Sequence, residues 1–148
     1  MSSGRSLAAD LALARDCIRD ARILLPIGSR NAAYLASQAA EHLVRLVART
    51  EALHIERKDA HQLDTTIRRL PDDNPDKAAL SEIAFLEAYA TAYRYPTPAG
   101  RSPASPSQER VEQALGCLDR ILADLLVHHA VDEASGQAFR LDPRRRAD

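Results

Sequence analysis

Leu7, Leu11, Ala14, Ile18, Ala21 and Leu25 recur at alternating spacings of four and three, and Val111, Leu115, Leu118, Leu122 and Leu125 repeat that rhythm near the other end of the chain. Such spacings return to one side of a helix of about 3.6 residues per turn, so each set predicts an amphipathic helix with a narrow apolar seam. A seam of this kind has to be buried against other helices, which confines the chain to helix-on-helix packing. Between the two seams, Ala32, Ala36, Ala39, Ala40, Leu43 and Val47 predict a second helix from Ser29–Asn31 toward Leu53. Its alanines let neighbours approach closely and place it at the centre of the packing.

Pro26 and Gly28 end the first helix. Residues 54–75 form a polar connection in which Leu63, Ile67 and Leu70 are spaced for one or two helical turns, followed by a loop over 70–75. Asp76 is a candidate cap for a third helix carrying Ala79, Ile83, Leu86, Ala90 and Tyr93 on one face. A Pro-, Ser- and Gly-rich stretch follows, and Ser105, Pro106 and Gln108 supply a cap, a first-turn proline and a capping-box amide for the fourth helix, which should reach about His129. Aromatics make up 4% of the 148 residues and Trp is absent, so the core is built of Ala, Leu, Ile and Val, which favours helix over sheet. The expected fold is all-α: one antiparallel up-and-down bundle domain over residues 1–138, with four main helices and a short extra helix between the second and third. Residues 139–148, with Arg144-Arg145-Arg146, read as a flexible tail.

The formal net charge of −1 argues against bulk attraction to nucleic acid and leaves local patches as the route to phosphate. Cys17 and Cys117 each fall inside a helical pattern, without the spacing of a zinc or redox site, and read as reduced thiols. No apolar run approaches the roughly 18 residues of a membrane span, and Met1–Arg5 leads into an amphipathic helix instead of a signal core, so a soluble cytoplasmic protein is expected. Gly-rich phosphate loops, Gly-x-Ser-x-Gly elbows and His-Glu-x-x-His motifs are missing, and no cofactor or metal is expected.

Three polar features remain. Gln38, Glu41, His42, Arg45 and Arg49 lie at helical spacing on the second helix, and Glu41 and Arg45 are placed for an i, i+4 pair on a face that is either solvated or an interface. Glu51-Ala52-Leu53-His54 has the Glu-x-x-His spacing of di-iron bundles, but a second copy and two further inward glutamates would be needed. Tyr93-Arg94-Tyr95-Pro96 combines a guanidinium with two aromatic rings where Pro96 should stop the third helix.

The segment from Ala33 to Arg45 (Ala-Tyr-Leu-Ala-Ser-Gln-Ala-Ala-Glu-His-Leu-Val-Arg), then His61-Gln62-Leu63, then Tyr93-Arg94-Tyr95-Pro96, resembles the HEPN family of small helical domains in order and approximate separation, over about residues 7–130. The resemblance implies a bundle of four or five helices, often a symmetric homodimer, and frequently a small nucleotidyltransferase partner in a toxin-antitoxin-like pair. Many such domains are RNA-cutting toxins with an Arg followed four to six residues later by His, late in the domain. No His follows Arg94 at that distance; the literal match is Arg49-Thr50-Glu51-Ala52-Leu53-His54, at the end of the second helix. The resemblance therefore implies a domain that binds a nucleotidyltransferase partner, a nucleotide or RNA without the usual nuclease motif. Arg94, Tyr93 and Tyr95 would contact phosphate or partner, Gln38, Glu41, His42 and Arg45 would shape a groove, and His61 would cap or pack. The alternatives are a metal-independent ribonuclease drawing on Arg49 or Arg94 with His54, His61 or a second subunit, and a structural helical adaptor.

Overall fold

The computed structural model describes residues 3–90, 98–101, 106–132 and 137–140, with side chains over 7–90, 98–101 and 106–127. The architecture is all-α: α1 spans Ser3–Leu24, α2 Asn31–Thr50, α3 Leu63–Arg69, α4 Lys77–Ile83 and α5 Gln108–His128. The predicted seams are the buried ones. Leu11, Ala14, Ile18 and Ala21 of α1 are at most 4% exposed, and Val111, Leu115, Leu118 and Leu125 of α5 at most 1%. The core between them is lined by α2, whose Ala36, Ala39, Ala40, Leu43 and Val47 are fully buried.

The α1–α2 turn follows from local chemistry. Pro26 sits in a 3-10 turn over Leu25–Ile27, and Gly28 takes φ +70°, where it donates to the Leu25 carbonyl. A side chain at that φ would be strained, which is why the turn carries glycine. Gln108 Nε2, at the start of α5, donates to the same Leu25 carbonyl at 3.0 Å and pins the α5 N-terminus to the end of α1. Ser107 Oγ accepts from the Arg110 N–H at 3.1 Å, so Ser107 makes the cap two residues beyond the predicted start; Ser105 lies outside the described residues.

The predicted third helix divides. After α4 the chain tightens into a 3-10 helix over Ala84–Tyr89. Ile83, Leu86 and Tyr89 are spaced by three, the repeat that a 3-10 helix keeps in line and an α-helix rotates out of line. Ile83 and Leu86 are buried, with Tyr89 packed against the core. Asp76 stands before α4 without a side-chain cap bond; Asn74 Oδ1 instead accepts its backbone N–H at 2.9 Å.

Beyond α5, β1 (His129–Asp132) pairs antiparallel with β2 (Gln137–Arg140), joining Ala130 to Phe139 and His129 to Arg140. The helical periodicity carries no sign of this hairpin, and it places Phe139 and Arg140, assigned above to the tail, in a strand. Cys17 and Cys117 are both free. Among the described residues no helix is long and apolar enough to cross a membrane.

The end of α2 differs most from expectation and matters most for the site. The helix stops at Thr50, short of Leu53, because Ala52 adopts φ +55°. Leu53 N–H bonds to the Ala48 carbonyl at 2.9 Å and Ala52 N–H to the Arg49 carbonyl at 3.0 Å, the two bonds of a Schellman ending with alanine where glycine is usual. Ala52→Gly is accordingly expected to stabilise the fold by about 0.5–1 kcal/mol, read as a higher urea midpoint; an unchanged midpoint would mean that the left-handed alanine costs nothing here.

Candidate functional site

The polar stripe of α2 is organised by a residue on α1. Asp10 follows the apolar turn of Leu7 and precedes Leu11, and its side chain is only 7% exposed. A carboxylate buried this far needs partners. Three side chains at positions i, i+3 and i+7 of α2 supply them: His42 Nδ1 lies 2.9 Å from Oδ1, Arg45 Nη1 3.4 Å from Oδ1 and Arg49 Nη1 2.7 Å from Oδ2. An ionised carboxylate only accepts, so His42 Nδ1 carries the proton in this contact. Burial acts to raise the Asp10 carboxyl, but the hydrogen bond from His42 and the charges of Arg49 and Arg45 outweigh it and hold the group below its ordinary 3.8.

On the neighbouring flank of α2, the buried Glu41 accepts from His61 Nδ1 at 3.0 Å. The predicted Glu41–Arg45 pair is thus replaced by two longer-range ones: Arg45 turns to α1, and Glu41 fastens the connection that holds His61. Gln38, half-buried one turn before His42, shares the stripe but not the cluster.

Because α2 ends at Thr50 and the chain reverses at Ala52, Arg45, Arg49, Leu53, His54, Ile55 and Ala60 line one cavity of about 310 Å³. His54 is exposed, and its carbonyl accepts from Arg69 Nη1 at 2.9 Å, which ties this segment to α3. Arg45 and Arg49 each give one nitrogen to Asp10, and their side chains remain 33% and 37% exposed. A guanidinium has five N–H donors in all, so both forks retain capacity for an anion. One carboxylate against two guanidinium groups leaves net positive charge at a cavity that the apolar Leu53, Ile55 and Ala60 also line.

The same reversal removes the di-iron reading, since Glu51 and His54 no longer share a helical turn; Glu51 Oε1 accepts from Asn74 Nδ2 at 2.9 Å. Tyr93, Arg94 and Tyr95 lie outside the described residues. Sequence reasoning missed Asp10, which stands off the apolar seam of α1. Three cationic or protonatable side chains on one stripe, at 42, 45 and 49, were the available signal, because such a row calls for an opposing carboxylate.

Fold and site together define a small all-α domain with a carboxylate-anchored basic pocket at the end of its central helix. The chain belongs to the HEPN domain family, whose model matches residues 11–128, and so stands among nucleotide- and RNA-associated helical domains. The crystal structure of TT1696 from Thermus thermophilus superposes with a TM-score of 0.56, at 22% identity, over 83% of this chain and 95% of that one. At that identity the likeness concerns fold alone. No curated protein sequence matches the chain.

Proposed function

We propose that this domain binds a phosphate-bearing ligand, a nucleotide or the end of an RNA, in the cavity between Arg45, Arg49 and His54. Its wider setting is a cytoplasmic homodimer with a small nucleotidyltransferase partner, a setting drawn from the family, and its helices are read as an antiparallel bundle to which α3 is an addition. The observation that carries the binding reading is the pairing of both guanidinium groups with one buried carboxylate while each keeps free donors at a cavity wall. Forked donors of this kind suit phosphate oxygens, and Leu53 and Ile55 in the same lining offer apolar surface to a base. Calorimetric titration with AMP and adenosine tests it: AMP should bind in preference to adenosine, and Arg49→Ala should weaken AMP by about tenfold or more, the worth of one charge-assisted bond. Equal binding of AMP and adenosine would remove the phosphate from the account.

A second reading has its own support. Arg49 and His54 line the same cavity, and a guanidinium beside an imidazole can stabilise the charge of a cleaving phosphodiester and take the proton of the attacking 2′-hydroxyl as the 5′-oxygen leaves, without metal. Incubation of the protein with RNA in a chelator distinguishes this reading. Cleavage lost in both Arg49→Ala and His54→Ala would favour a ribonuclease, and intact RNA with the wild type would leave binding alone.

A further inference from the structure

We infer that Asp10 is a positioning residue for the phosphate pocket: from α1 it sets the two guanidinium forks of α2 side by side so that both face one anion. The inference rests on the phosphate-binding reading above. Asp10 lies beneath the cluster and is absent from the cavity lining, so it has no route to the ligand except through the arginines. Its two oxygens are divided: Oδ2 takes Arg49 at 2.7 Å, while Oδ1 is shared by Arg45 at 3.4 Å and His42 at 2.9 Å. His42 is likewise absent from the lining, and its hydrogen bond fixes the plane of the carboxylate.

Without that carboxylate, two like charges one helical turn apart would swing away from each other into water, each free to sample many rotamers. A ligand would then have to gather both forks at its own cost, whereas here they are gathered before it arrives. The placement also explains why α1 carries a buried acid in an otherwise apolar contact with α2. A side chain serving packing alone would be apolar at this depth.

Charge and position make opposite predictions for Asp10→Asn, which makes the inference testable. If Asp10 only neutralised the arginines, losing its charge would leave the pocket more positive and tighten AMP. If it positions them, AMP should weaken by about tenfold. The titration is run as a double-mutant cycle with Arg49→Ala, folding being checked by circular dichroism. A positioning role predicts that Asp10→Asn costs about tenfold in the wild-type background and less than about twofold beside Arg49→Ala, whereas a general structural role would cost the same in both. Asp10→Glu keeps the charge but moves the carboxylate by one methylene; it should fold and still weaken AMP, and it serves should the Asn variant not fold. Unchanged or tighter AMP binding by Asp10→Asn, equal losses in both backgrounds, or wild-type affinity in Asp10→Glu would overturn the inference. Failure of the phosphate reading looks different, since AMP would then not bind the wild type or Arg49→Ala would have no effect.

Discussion

Replacement of Asp10 by alanine is expected to lower the stability of the fold by about 3 kcal/mol at neutral pH. Removing one partner of a buried ion pair costs about 3–5 kcal/mol, and the low end applies because Arg45 and Arg49 can regain water through their exposed edges. The loss should also depend on pH. Asp10 titrates below 3.8 in the folded chain, so it holds its charge to lower pH there than in the unfolded chain. Its stabilisation is therefore complete above about pH 4 and is lost as the pH falls through the folded-state value. Urea unfolding of wild type and Asp10→Ala should give well-separated midpoints at pH 7 that draw together as the pH falls below 3.8. A difference as large in acid as at neutrality would assign the effect to packing.

Ala39→Leu is the second large effect, at about 3 kcal/mol of destabilisation. Ala39 is fully buried one turn before His42, the residue that meets Asp10, and it therefore faces α1. On α1, Ala14 and Ala21 are also fully buried, so both helices carry small residues on their buried faces. Added methylenes in a filled contact force off-rotamer side chains or push the helices apart, at a typical cost of about 1–3 kcal/mol, and a helix-helix seam of alanines has little room to yield. Thermal unfolding measures it. The prediction has a functional corollary, since parting α1 from α2 would also draw Asp10 from the arginines and weaken AMP binding.

The helices were legible in the sequence because their seams are periodic and apolar, and burial of one face is what periodicity reports. Leu11 through Ala21 and Val111 through Leu125 therefore lie where their spacing placed them. The features that make the site were illegible for specific reasons. The end of α2 is set by a left-handed residue, and Ala52 fills a position that glycine would have marked. Asp10 owes its burial to partners 32, 35 and 39 residues away, a relation that no local pattern records. Once α2 is known to stop at Thr50, Arg49 and His54, which point apart on a continuous helix, come to share a cavity. The switch to 3-10 geometry after Ile83 was readable in the three-residue spacing of Ile83, Leu86 and Tyr89, but the alternative set Ile83, Leu86 and Ala90 fits an α-helix equally well.

In the function proposed above, the reversal after α2 builds a phosphate pocket. Backbone amide NMR of the isotopically labelled protein, titrated with AMP and separately with adenosine, examines it most directly. The account predicts saturable shifts with AMP concentrated at Arg45, Arg49, His54, Ile55 and Ala60, and much smaller shifts at those amides with adenosine. Shifts centred elsewhere in the molecule, or indistinguishable for the two ligands, would contradict it.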